Sequence, residues 1–182
     1  MKKILLLLVL SLAFFNAEYN ANAQIQTKFW GLDLAKSYSS LKAVRDFISD
    51  DCEYAVIEGN NIRALNGDFG GYKWGLVNFQ FHKRNKYALY GVEFSDNFNT
   101  KRAAEVLFDQ LYLSLTEKYG DVDELSDEKD DTICLWADMK NCCFLRLING
   151  ESQGGITYWY VILYYCNRDL LNFITQEGVD EL

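Results

Sequence analysis

One segment near the C-terminus concentrates aromatic side chains that could bind a partner. Five rings fall within eight residues: Tyr158, Trp159, Tyr160, Tyr164 and Tyr165. Because alternate residues of a strand project from opposite faces, Tyr158, Tyr160 and Tyr164 should share one face. Exposed Tyr and Trp side chains are favoured in the recognition of proteins and carbohydrates, since they combine a large rigid area with a polar group. The segment therefore predicts a binding surface on a sheet.

Two further rings, Tyr72 and Trp74, share one face of an earlier predicted strand. They would extend the binding surface if both strands belong to one sheet. The predicted contacts are thus Tyr72, Trp74, Tyr158, Tyr160 and Tyr164. The alternative is that these rings pack beneath helices, because aromatic side chains tend to be buried. The sequence leaves both interpretations open.

Residues suited to catalysis are sparse. His82, the single His, could act as a general base because imidazole titrates near neutrality. It falls on the polar phase of its strand, and no Ser or Cys lies in a nucleophile motif, so we expect a solvated His at the strand end. Glycoside hydrolysis would need two carboxylates facing each other across a cleft. The candidates for such a pair lie at strand ends or turns: Glu58, Glu93, Asp138 and Glu151.

The acidic run from Asp121 to Asp131 holds seven carboxylates in eleven residues. This density could supply oxygen ligands for Ca²⁺, but a helix-loop-helix calcium loop needs a central Gly and a Glu at its twelfth position, and both are missing here. Dense like charge is more typical of a solvated linker. We therefore expect no metal site and no cofactor, with Ca²⁺ binding by this run kept as the minor alternative.

The five cysteines cannot all close into internal disulfides, because their number is odd. They are Cys52, Cys134, Cys142, Cys143 and Cys166. Cys142 and Cys143 are adjacent and would point to opposite faces of a strand, so a bond between them would need unusual geometry. The chain has no C-x-x-C pair of the kind that binds zinc. Buried thiols with one disulfide at most are expected, and the pairing stays open.

The first 23 residues have the plan of a secretory signal peptide. Lys2 and Lys3 precede an apolar stretch over residues 4–15, and a small-residue cleavage site ends at Ala23. About 12 apolar residues are too few to span a bilayer, which takes about 20. We expect cleavage after Ala23, a secreted or periplasmic protein, and no membrane span in the remainder.

Residues 24–182 should form a single α+β domain, divisible into halves 24–98 and 99–182. The 182-residue chain is 49% hydrophobic, which argues against disorder, and its net charge of −8 argues against binding nucleic acid through a basic field. Periodicity predicts the order helix, four strands, helix, three strands, helix, with caps at Ser39 or Ser40, Asn99 or Thr100, and Asn167. Segregated helices and strands predict antiparallel sheets with helices on one face, arranged as two tandem helix-plus-meander units.

Several short motifs resemble those of a group of small secreted bacterial proteins of unknown function. The resemblance rests on Phe29 to Leu34, on Leu65 to Gly71, on the alternating strands, and on the helix that ends in Lys118-Tyr119-Gly120. Their layout is similar to the helix-plus-four-strand units of β-lactamase-inhibitor-like and outer-membrane-assembly small-lipoprotein folds. The chain departs from them at Ala35, where those units carry Gly, and it lacks their lipid-bearing Cys. The resemblance implies a binding or scaffolding role and supplies no catalytic residue.

The sequence as a whole favours a non-enzymatic binding module that uses a sheet surface to hold a protein or a carbohydrate. Two alternatives stay open. One is a hydrolase of envelope or extracellular polymers that uses a carboxylate pair, and the other is a structural partner in an envelope assembly.

Overall fold

An antiparallel sheet of nine strands forms the centre of the fold and confirms the predicted α+β class. The computed structural model describes residues 24–83, 86–151 and 157–180. The predicted signal peptide, 1–23, therefore lies outside the described residues. Within these ranges no helix is both long and apolar enough to cross a bilayer.

The described elements follow the chain in the order β1 (Lys28–Phe29), β2 (Leu32–Asp33), β3 (Ser37–Tyr38), α1 (Leu41–Ile48), a 3₁₀ helix (Ser49–Asp51), β4 (Tyr54–Glu58), β5 (Asn61–Phe69), β6 (Tyr72–Lys83), β7 (Tyr87–Phe98), α2 (Lys101–Tyr119), β8 (Glu124–Glu128), β9 (Asp131–Ala137), β10 (Asn141–Glu151), β11 (Thr157–Asn167) and α3 (Arg168–Asp180). β1 and β2 form a separate two-stranded sheet.

Two four-stranded meanders join along their last strands. The order across the large sheet is β4-β5-β6-β7-β11-β10-β9-β8, and β3 adds to the start of β7. At the junction, Phe94 of β7 lies opposite Leu163 of β11. A helix precedes each meander. The first half of the chain contributes β3 and four meander strands to the sheet, and the second half contributes the other four strands.

The three α-helices of the described ranges begin at the predicted caps because each cap side chain satisfies a free backbone N–H. Ser40 Oγ accepts from Ala43 N at 3.4 Å before α1, and Thr100 Oγ1 accepts from Ala103 N at 3.3 Å before α2. Asn167 Oδ1 accepts from Leu170 N at 3.1 Å in the first turn of α3.

One face of the sheet carries the main hydrophobic core beneath α1 and α2. Phe108, Leu111 and Leu115 of α2 are buried against the inward residues of the central strands. The sequence predicted this alternation for Val77, Phe79 and Phe81 in β6 and for Val92 and Phe94 in β7. The inward residues of the other central strands include Leu145, Val161 and Leu163. The alternate residues of each strand therefore project from the opposite face of the sheet.

The third helix packs against the opposite face and covers only one end of it. Leu171 of α3 is buried in a smaller cluster with Cys142, Phe144 and Cys166. α3 contacts β7, β10 and β11, so the sheet between β4 and the far ends of β10 and β11 has no helix on this side among the described residues.

The charged segment after α2 was predicted to be a linker, and the structure shows this to be wrong in part. Residues Glu124–Glu128 form β8, which pairs with β9 at the edge of the sheet. An edge strand needs no buried face, and charges there deter pairing with other chains, so the absence of an apolar pattern does not prevent a strand. Thr132 Oγ1 donates to Asp127 Oδ1 at 2.7 Å across the hairpin.

Candidate functional site

The five predicted contact residues lie on opposite sides of the sheet. Tyr72 and Trp74 belong to the side beneath α2, whereas Tyr158 and Tyr160 project from the other side. We call this other side, away from the end that α3 covers, the open face. Its described residues include Tyr54, Leu65, Leu76, Ser95, Ile148, Tyr158, Tyr160 and Ile162.

Trp74 is a core residue, which corrects its prediction as a surface contact. Its side chain is 1% exposed, its ring centroid lies 5.7 Å from that of Phe94, and Nε1 donates to Phe69 O at 3.2 Å. Strict alternation would place Trp74 opposite to Val77, yet both are in the main core. The pairing of β5 with β6 passes from Leu65–Leu76 to Gly67–Trp74 and skips Asn66, whose φ is +54°. This local distortion accounts for Trp74 facing inward.

Tyr72 lines a groove of about 280 Å³ between the start of β6 and α2. Its hydroxyl donates to Gln110 Oε1 at 3.2 Å, and its ring centroid lies 6.3 Å from that of Trp74. The groove walls are mainly apolar and include Phe98, Val106 and Leu107. Tyr72 and Trp74 therefore do not extend the C-terminal aromatic surface.

Tyr164 shares its face with Tyr158 and Tyr160 but is held within the protein. Its hydroxyl donates to Gln80 Oε1 at 2.9 Å, and its ring packs against Phe144 at a centroid distance of 6.3 Å. Burial raises the pKa of the Tyr164 hydroxyl well above its usual value. Tyr164 therefore forms the border between the open face and the cluster beneath α3, and it is not a free contact.

Tyr158 and Tyr160 are half-buried and belong to neither hydrophobic cluster. Tyr160 lies opposite Ile148 in the register, and its ring lies over Gly150, where a Cβ would come within 2.6 Å of it. The absence of a side chain at Gly150 thus lets Tyr160 lie against the sheet. Of the predicted contacts, these two are placed as a binding surface requires.

Beside Tyr160 lies a mainly apolar row that the sequence did not predict. The register aligns Tyr54, Leu65, Leu76, Ser95 and Ile162 across five strands of the open face. Tyr54 is 60% exposed and Leu65 is 43% exposed. One signal in the sequence was an apolar residue at a position that projects away from the core. Leu76 is such a residue, because its neighbour Val77 points into the core.

A polar row runs parallel to this apolar row and contains a carboxyl with an altered pKa. Arg63, Asn78, Glu93 and Tyr164 are aligned across β5, β6, β7 and β11. Burial raises the pKa of the Glu93 carboxyl above its usual value, and the Arg63 guanidinium partly opposes this effect. Asn78 Oδ1 is buried without a hydrogen-bond partner among the described residues.

Glu93→Gln should test the buried carboxyl through the pH dependence of stability. A carboxyl whose pKa is raised by folding binds its proton more tightly in the folded chain, so the unfolding free energy falls as pH rises through the folded pKa. Removing the charge should therefore stabilise the protein relative to wild type increasingly as pH rises above the ordinary Glu pKa of about 4.3. Denaturant unfolding at several pH values measures this difference.

Glu53→Gln supplies a control of opposite sign. A hydrogen bond from Lys73 lowers the pKa of the Glu53 carboxyl, with Nζ 2.6 Å from Oε1. This group stabilises the fold only above its unfolded pKa, so the variant should lose stability relative to wild type as pH rises. Equal pH trends for the Glu53 and Glu93 variants would contradict the assignment.

Two arginines of the open face are each paired with a carboxylate. Arg63 Nη1 lies 3.0 Å from Glu58 Oε2, and Arg146 Nε donates to Asp131 Oδ1 at 2.7 Å. The second guanidinium nitrogen of Arg146 also contacts Asp131, which makes the pair bidentate.

His82 and Asp138, which were considered for catalysis, both contact neighbouring parts of the fold. His82 is half-buried rather than solvated as predicted, with its ring centroid 5.7 Å from that of Phe173 in α3. Asp138 Oδ1 accepts from Lys140 N at 2.8 Å and Asn141 N at 2.7 Å in the β9–β10 turn. Within the described ranges, no group of three or more His, Cys, Asp or Glu side chains is arranged to hold a metal ion.

Lys101 and Trp159 mark a second small cavity, of about 210 Å³, beside the acidic β8–β9 hairpin. The Lys101 ammonium lies 4.9 Å from the centroid of the Trp159 indole. Trp159 packs against the main core, as alternation with Tyr158 and Tyr160 predicts.

Comparison of the chain with family models, with curated proteins and with solved structures gives no match.

Proposed function

We propose that this protein is a non-enzymatic binding module that holds another protein on its open face. The observation that carries the proposal is the partly exposed row beside Tyr160, in which Leu65, on the strand next to the sheet edge, is 43% exposed. Apolar side chains on a sheet face of this kind gain free energy when a partner removes them from water. The predicted signal peptide supports action in the periplasm or outside the cell.

The charge distribution favours a protein over a polyelectrolyte as the partner. Arg63 and Arg146 are each paired with a carboxylate, and the raised pKa of Glu93 favours its neutral form. The centres of protein–protein interfaces are depleted of unpaired charge and enriched in aromatic residues. The open face matches this composition with Tyr160, Tyr158 and the apolar row. The partner should therefore present an apolar patch with a neutral surround.

Leu65→Arg provides a direct test of this surface. The side chain is exposed on β5, so the variant should fold, but an unpaired charge within the apolar row should weaken capture at least about tenfold. The measurement is quantitative capture of proteins by the immobilised protein from periplasmic extract and culture fluid of its source. Leu113→Arg on the solvent side of α2 is the matched control, since Leu113 is 67% exposed.

The expected result is a protein retained equally by wild type and the Leu113 variant and lost by the Leu65 variant. Equal retention by all three would place the binding surface elsewhere. A retained species that resists protease and is destroyed by periodate would identify a carbohydrate and overturn the proposal of a protein partner.

A further inference from the structure

Two of the five cysteines face each other directly across the sheet. Cys142 of β10 and Cys166 of β11 are opposed in the antiparallel register, and both are fully buried. Their Sγ atoms lie 2.9 Å apart. We propose that Cys142 and Cys166 form a disulfide when the protein folds in the presence of a disulfide oxidant.

The backbone geometry already suits this bond. Directly opposed residues in antiparallel strands have Cα atoms about 4.5–5.5 Å apart, and disulfides span Cα distances of about 4.4–6.8 Å. The two sulfur atoms would have to move together by less than about 1 Å to reach a bond length near 2.05 Å. No shift of strand register is needed.

The other three thiols are arranged differently. Cys143 points to the opposite face, where it lies across from Trp136 and Tyr165. Cys134 lies across from Leu145, which places it diagonally to Cys143 rather than opposite it. Cys52 follows the 3₁₀ helix, and its Sγ donates to Ile48 O at 3.6 Å. Of the five cysteines, the register therefore opposes only Cys142 and Cys166 directly. One bond between them leaves three free thiols, which accommodates the odd number of cysteines.

The oxidation balances with a glutathione-class disulfide as the co-reactant. One protein thiolate attacks this disulfide, releases one small thiol and becomes a mixed disulfide. The second protein thiolate then displaces the remaining small thiol and closes the Cys142–Cys166 bond. The two protein thiols lose two protons and two electrons, and the reagent leaves as two thiols. The oxidising compartment implied by the predicted signal peptide would supply such an oxidant.

Burial determines when this reaction is possible. Removal from water raises the pKa of the Cys142 thiol well above its usual value, and a protonated thiol is a poor nucleophile. The pair lies beneath Leu171 of α3. Oxidation should therefore occur during folding, before α3 covers the pair, and proceed slowly in the folded, reduced protein.

The bond would also connect the sheet to its last helix. Cys166 immediately precedes Asn167, whose side chain caps α3 and also donates to Asn141 Oδ1 at 3.1 Å. The two cysteines are 24 positions apart, so the cross-link closes a substantial loop. We expect oxidation to raise the thermal midpoint by about 5–10 °C, because the cross-link restricts the unfolded chain.

The test is thiol counting after refolding. The purified protein is reduced in denaturant, refolded in a buffer of oxidised and reduced glutathione, and then unfolded and alkylated. Three alkylated cysteines per chain are expected, whereas a control refolded with excess reductant should show all five. Five alkylated cysteines after oxidative refolding would overturn the proposal without reference to any variant or to the binding function.

Variants identify the bonded residue, because trypsin leaves Cys142 and Cys143 together in fragment 141–146. The cross-link between this fragment and the one holding Cys166 should persist in Cys143→Ser and disappear in Cys142→Ser. A cross-link that survives in Cys142→Ser would contradict the assignment. Reductant should lower the thermal midpoint of wild type and Cys143→Ser but leave that of Cys142→Ser unchanged.

Discussion

Trp74→Ala should destabilise the protein by about 3–5 kcal/mol, the range found when a large buried aromatic side chain is truncated. The indole is 1% exposed and fills the space beside Phe94. Its loss would leave a cavity and would also leave Phe69 O without its 3.2 Å hydrogen bond. Chemical denaturation should show this as a lower midpoint with an unchanged slope.

Tyr158→Ala is the informative comparison for Trp74→Ala. Both positions were predicted as surface contacts, but Tyr158 is in neither hydrophobic cluster. Its truncation should cost less than about 1 kcal/mol, as substitutions outside the core usually do. A similar loss of stability in both variants would mean that the two faces of the sheet have been assigned incorrectly.

Gly91→Ala should cost about 2–4 kcal/mol, because Tyr164 occupies the space that a side chain would need. A Cβ at this position would lie 2.3 Å from Tyr164 Oη and 2.8 Å from its ring carbons. The ring would have to leave its place against Phe144 and give up its hydrogen bond to Gln80. Overpacking costs about 1–3 kcal/mol and the lost hydrogen bond about 1 kcal/mol. Equilibrium unfolding of the variant provides the measurement.

Gly75→Ala, in the neighbouring strand, is the matched control for Gly91→Ala. The nearest atom to its added Cβ would be Asp96 Oδ1 at 3.1 Å, the end of a side chain that can move. This substitution should therefore cost less than about 1 kcal/mol. If Gly91→Ala were as mild as Gly75→Ala, Tyr164 would not be fixed at the border of the open face.

The sequence predicted those parts of the fold that depend on local pattern. The three helix caps, the alternation in β6 and the α+β class follow from residues close together in the chain. β8 was missed because an edge strand with two solvated faces has no hydrophobic period. The side of the sheet on which α3 packs was also missed, because an apolar stripe shows that a helix is covered but not by which surface.

The candidate site was predicted only in part, because it depends on register between distant strands. Tyr158 and Tyr160 were identified from one strand by alternation alone. The row from Tyr54 to Ile162 could not be identified in this way. Its ends are more than 100 residues apart in the chain, and they are joined only where β7 pairs with β11. Trp74 was misassigned because the distortion at Asn66 and Gly75 breaks the alternation on which its prediction relied.

Site-specific photo-crosslinking tests the proposed binding surface most directly. A benzoylphenylalanine in place of Tyr160 would project from the open face, and the same residue in place of Leu113 would project from the solvent side of α2. After irradiation in periplasmic extract or culture fluid, position 160 should give a covalent adduct with one protein of defined mass, and position 113 should give none. Adducts from position 113 with none from position 160 would contradict a binding surface on the open face.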